Sequence, residues 1–158
     1  MRLLFVCVFG LLPSITMSLS AKETVAVLSL MGEISRNAED LGAEALTRLF
    51  LSFPQTKLYF QHLDLTPGSN DLKKQGAKVM NALKNAADHL NNLADNLSSL
   101  ADQHAYQLRV DPGNYSLLSM AIQITLATHF PAKFTPDVQA AWGKFLAEVG
   151  AVFTSRYK

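Results

Sequence analysis

Apolar residues in this chain recur every three or four positions, the period of a helix buried along one face. Val27, Met31 and Ile34 make the first stripe, and Leu46, Leu49, Phe50 and Phe53 continue it on a second segment. Leu72, Gln75, Val79, Leu83 and Ala86 follow at steps of 3, 4, 4 and 3. Leu93, Leu97, Leu100 and His104 then step by 4, 3 and 4, Tyr115, Leu118, Ile122 and Thr125 by 3, 4 and 3, and Val138, Trp142, Phe145, Val149 and Val152 by 4, 3, 4 and 3. No stretch sustains a period of two or offers a hairpin turn, so the pattern predicts an all-α fold.

Punctuation divides the stripes. Ser20-Ala21-Lys22-Glu23 is a capping box that starts the first helix. A second helix takes over near Asn37, and Pro54 breaks or redirects it. Lys57 to Thr66 has no helical period and reads as a short turn leading into a corner. Thr66-Pro67-Gly68-Ser69 predicts a long helix from Ser69 or Asn70 to about His89. Asp111-Pro112 predicts the next helix start, with Asp as cap and Pro in the first turn, running to about His129. Phe130-Pro131 ends that helix, and Thr135-Pro136 caps the last one. So many proline breaks between unequal helices argue against a simple up-down bundle.

Two polar side chains interrupt the inward stripes. His104 stands where a leucine is expected, and a buried neutral imidazole needs partners for both nitrogens, since an unmet buried polar group costs about 1 to 3 kcal/mol. It is either a satisfied core histidine or a ligand. Gln75 is either a boundary residue reaching solvent or a donor aimed into a site.

Length and charge narrow the classes. At 158 residues the chain is one domain, large enough to bury a core and a small cofactor. Lys and Arg number 14 against 13 Asp and Glu, a net charge of +1 that gives no footprint for nucleic acid. The single cysteine, Cys7, excludes an internal disulfide, and the lack of a Cys cluster speaks against zinc or iron–sulfur ligation. Residues 1–16 form a hydrophobic extension ahead of a domain at 17–158. Arg2 and the apolar run Leu3 to Leu12 are laid out like a secretory signal and are too short to span a bilayer. Cleavage after Ser20 would remove the first helix cap, so initiation at Met17 is the favoured reading, with residues 1–16 an upstream in-frame addition.

The segment His104-Ala105-Tyr106-Gln107-Leu108-Arg109-Val110-Asp111-Pro112-Gly113-Asn114-Tyr115 closely resembles the proximal-histidine region of vertebrate haemoglobin alpha-type chains, in the globin family. Phe53-Pro54-Gln55-Thr56-Lys57, Tyr59-Phe60, Asp64 to Ser69, Phe134-Thr135-Pro136 and Tyr157 resemble it too, and Met17-Ser18-Leu19-Ser20 looks like a fish-type start. The resemblance runs from about Met17 to Lys158 and implies the globin fold, with seven to eight helices around a haem pocket.

By the same resemblance, His104 is the proximal iron ligand through Nε2, its other N–H donating to a backbone carbonyl. Gln75 stands where the family usually has a distal histidine. Its amide can donate to dioxygen but cannot relay a proton, which implies altered off-rate and autoxidation. Phe60 stacks on the porphyrin of haem b and Val79 crowds the ligand side. Leu100, Leu108, Val110, Tyr115, Leu118 and Phe153 supply apolar wall, and Tyr59 and Asn114 complete it. Tyr115 is phenylalanine in many relatives, so its hydroxyl needs a partner. His62 and Lys78 match positions near the haem propionates, and His89 and His129 read as structural or surface residues.

The implied activity is reversible dioxygen transport as an alpha-type subunit paired with beta-type chains in an α2β2 tetramer, inside red cells. No nucleic acid or membrane partner is implied, and secretion is the alternative if residues 1–20 act as a signal. Contact positions Lys57, Tyr59, Arg109, Asp111, Asn114 and Tyr157 are present. Lys158 and Gly143 depart from the usual Arg and acidic residue, which implies a less strongly held deoxy assembly. The competing activities are haem peroxidase or nitric-oxide consumption, but peroxidase chemistry favours a distal acid–base group and Gln75 is a poor one.

Overall fold

The computed structural model describes residues 18–157, so the extension at 1–16, Cys7, Met17 and Lys158 lie outside the described residues. Six α-helices follow one another: α1 Ala21–Ile34, α2 Ala38–Ser52, α3 Asn70–Asp88, α4 Leu93–Asp102, α5 Asn114–His129 and α6 Pro136–Thr154. Short 3₁₀ segments at Ser35–Asn37, Pro54–Phe60 and Leu90–Asn92 and a π turn at Gln103–Gln107 complete the expected all-helical chain. Among the described residues there is no strand, and no helix is long and apolar enough to cross a membrane.

Caps set the boundaries where the sequence placed hydroxyls. Ser20, Ser69 and Thr135 each accept the backbone N–H three residues on, satisfying a donor that the first helical turn leaves orphaned. The fourth expected start is displaced. Asp111 spends its side chain on the N–H of Gly113, 2.9 Å away, forming a local turn, and α5 begins only at Asn114.

All six helices contribute to one core, in which Trp142, Phe145, Ile34, Met31 and Leu126 are almost wholly buried. Trp142 and Phe145 meet edge to face with ring centroids 5.5 Å apart. A second cluster, of Leu46, Leu49, Phe50, Leu72 and Ala121, joins α2, α3 and α5. Leu118 packs against both clusters.

The chain corner after α4 is tight. The N–H of Leu108 reaches back to the carbonyl of Gln103, widening the turn that carries His104. Arg109 then takes a left-handed conformation at φ 51°, and the chain reverses so that Val110 N–H donates to His104 O at 3.1 Å.

Candidate functional site

His104 sits at the end of the α4 stripe, half-buried, with Leu93 and Leu97 beneath it in the core. Its Nδ1 lies 2.8 Å from the carbonyl of Leu100. A carbonyl only accepts, so Nδ1 carries a proton and donates it, which leaves Nε2 as the ring nitrogen available to a ligand. Phe153 meets the imidazole edge-on, 5.0 Å between centroids at 83°, and Tyr115 lies on it at 6.5 Å. These two rings hold the plane of the imidazole against α5 and α6.

The other apolar members of the predicted set are half-buried on separate elements: Val79 on α3, Leu100 on α4 and Tyr115 on α5 pack against the first cluster, Phe60 after α2 against the second, and Leu118 on α5 against both. Phe60 is fixed edge-on against Phe50 at 5.2 Å. Phe153 is buried among them, whereas Leu108, just past the π turn, keeps 47% of its surface exposed.

Polar members of the predicted set serve the frame. Tyr59 Oη accepts from Asp111 N–H at 2.9 Å and from Asn114 Nδ2 at 3.1 Å, tying the segment after α2 to the corner before α5. Tyr157 donates its only hydroxyl proton to Val110 O and lies 3.5 Å from His104 O. Tyr115 therefore donates to Tyr157 Oη, 3.3 Å away, which is the partner its hydroxyl was expected to need. Burial first, and then this bond, push the Tyr115 hydroxyl well above the usual phenol range.

Gln75 is half-buried on α3, and its neighbour Gly76 presses against Gly42 of α2. His62 and Lys78 are exposed. Of the other histidines, His89 bonds the carbonyl of Asn85 at 2.7 Å, and His129 pairs with Glu44. The π turn and the left-handed Arg109 were not visible to a reading of helical period, because a period says nothing of how a helix ends.

The donor set is compatible with haem. Among the described residues no three His, Cys, Asp or Glu gather into a site, so a metal held by His104 must bring its other ligands with it. An iron porphyrin does so, and it asks of the protein one basic nitrogen and apolar walls.

Comparison with known proteins agrees with the architecture. The Globin family model matches residues 43–153. The chain is 65% identical to "Hemoglobin subunit alpha-3" of Aquarana catesbeiana over 141 residues, 89% of this chain and all of that protein. It is 56% identical to "Hemoglobin subunit alpha-5" of Xenopus laevis and 57% to "Hemoglobin larval subunit alpha" of Pleurodeles waltl, each over 90% of this chain and all of the relative. These relatives are amphibian, so the expected likeness to fish chains is not borne out; a short start motif such as Met17 to Ser20 is too small to fix a lineage. The chain belongs to the globin family, in the company of the haemoglobin alpha subunits.

Proposed function

We propose that this chain carries dioxygen reversibly as a haemoglobin alpha subunit, with His104 as the protein ligand to haem b. The observation that carries the reading is the bond from His104 Nδ1 to Leu100 O, which uses one ring nitrogen and leaves Nε2 for a ligand. Haem, when bound, supplies a ferrous iron with reversible affinity for dioxygen. Phe60, Val79, Leu100, Val110, Tyr115, Leu118 and Phe153 exclude water around it, and Leu108 adds its apolar surface at the rim. Low polarity there would favour the reduced iron when haem is bound. Tyr59 and Asn114 hold the corner that backs this wall.

Gln75 offers its amide N–H to the ligand side and has no group that titrates. A proton shuttle for peroxide is therefore missing, and the chain acts as a carrier rather than an enzyme. His62 and Lys78 supply exposed cationic or donor groups for the propionates, each worth about 0 to 1 kcal/mol.

The partner is a beta-type chain in an α2β2 tetramer within the erythrocyte cytoplasm. Four large apolar side chains support an interface reading: Leu51 and Leu58 are 75% and 66% exposed, and Met120 and Ile124, one turn apart on α5, 50% and 45%. Should residues 1–20 work as a signal, the same globin would be secreted; N-terminal sequencing of the native protein separates the two, a start at Ala21 marking secretion.

One spectrum tests the central assignment. The purified protein is expected to show a haem Soret band that shifts reversibly between deoxygenated and oxygenated buffer. His104→Gly is expected to lose stable pigment unless imidazole is added. A glycine variant that stays red and takes up gas saturably without imidazole would overturn the ligand assignment.

A further inference from the structure

We propose that Tyr115 is a positioning residue for the proximal segment, its hydroxyl latching Tyr157 onto the backbone that follows His104. Three bonds make the chain of contact. Tyr157 Oη gives its proton to Val110 O and sits 3.5 Å from His104 O. Tyr115 Oη donates to Tyr157 Oη across 3.3 Å. Val110 N–H closes the loop on His104 O at 3.1 Å.

The ring of Tyr115 needs no hydroxyl to do its packing. It lies 5.1 Å from Phe153 and 6.5 Å from the imidazole, contacts a phenylalanine ring would make as well. The hydroxyl is a half-buried polar group that needs a partner, and its partner is Tyr157, three residues beyond the last helix. Without Tyr115, Tyr157 Oη would keep its acceptor and lose its only donor. The end of the chain is thereby tied to the turn that sets the height and tilt of His104. Such a tie resists movement of the corner that follows His104 and slows its opening; with haem held by His104, the same stiffness would lower ligand affinity.

This inference rests on the haem reading for its ligand-binding readout alone. The test compares Tyr115→Phe, Tyr157→Phe and the double variant in the full-length purified protein, by amide hydrogen exchange over Val110 and over Arg156–Tyr157. Tyr115→Phe is expected to speed exchange at both places about three- to tenfold, the worth of one hydrogen bond. The double variant should exchange no faster than Tyr157→Phe, because both changes break one latch. Dioxygen affinity should rise about twofold in all three. Unchanged exchange in Tyr115→Phe, or effects of the two changes that simply add, overturns the latch. A protein that holds no haem overturns the carrier reading instead, while the exchange rates still decide the latch.

Discussion

Gly42 and Gly76 touch backbone to backbone: a Cβ on Gly42 would stand 2.2 Å from the carbonyl oxygen of Gly76, and one on Gly76 would stand 2.3 Å from Ala43 N. No real side chain survives at that distance, so α2 and α3 cross as closely as they do only because both positions are bare. The neighbour of Gly76 is Gln75, which places the distal candidate at the height this crossing dictates.

Gly42→Ala is therefore expected to cost about 3 kcal/mol or more, because backbone rather than a flexible side chain must yield. Thermal unfolding should fall by roughly 6 to 12 °C for a chain of this length. Ligand dissociation should shift as well, since α3 must back away and carry Gln75 with it. A variant that melts like the parent would show that the two helices are not in fact in contact.

Gln75→Leu keeps the bulk of the side chain and removes its donor. One hydrogen bond to dioxygen is worth about 0.5 to 1.5 kcal/mol, so dissociation should quicken about two- to tenfold while carbon monoxide dissociation changes less. Stopped-flow measurement of both gases checks it. Equal effects on the two would assign Gln75 a steric role.

The helical stripes, the caps at Ser20, Ser69 and Thr135 and the two polar interruptions were legible because each is local: a period, or a hydroxyl three residues ahead of an N–H. Asp111 misled for a local reason too, since one carboxylate cannot both turn the chain at Gly113 and cap a helix starting at Asp111. The Gly42–Gly76 crossing and the Tyr115–Tyr157 bond join residues 34 and 42 positions apart, and no short window of sequence contains both partners. That the Tyr115 hydroxyl needed a partner could be read; which partner could not.

Two carboxylates should pull stability in opposite directions with pH. Burial raises the Glu44 pKa, but hydrogen bonds from His129 and Arg48 outweigh it and hold the group below its ordinary 4.5. A depressed folded pKa means stability present above 4.5 and lost as pH falls through the lowered value. Glu148 is the reverse: burial first, then the Glu23 charge, raise it despite Lys144, so its contribution is present below 4.5 and lost as pH rises. Glu44→Gln should thus destabilise by about 0.5 to 1 kcal/mol at pH 7 and by progressively less as pH falls below 4.5. Glu148→Gln should raise the melting temperature at pH 7 and leave it alone near pH 4. Melting curves at both ends of the range decide each sign.

In the proposed tetramer, Gly143 would bear on assembly rather than on folding. Resemblance to the family sets an acidic residue there and an arginine at the position of Lys158, a pair able to form a forked, two-bond contact that lysine and glycine cannot. Space is no obstacle to restoring the acid: the nearest atom to a Cβ at Gly143 is Gln123 Oε1, 3.9 Å away. Helix propensity favours the change slightly, since glycine is the poorer helix former by a few tenths of a kcal/mol. Gly143→Asp should therefore fold as well as the parent. Combined with Lys158→Arg in the assembled tetramer, it should raise the Hill coefficient and the pH dependence of dioxygen affinity, with each single change giving less than half the gain of the pair. Oxygen-equilibrium curves across pH 6.5 to 8 measure both quantities. If the double variant bound dioxygen with the parent's Hill coefficient and pH dependence, the deoxy assembly would not be held at these two positions, and their departure from the family would be of no consequence for cooperativity.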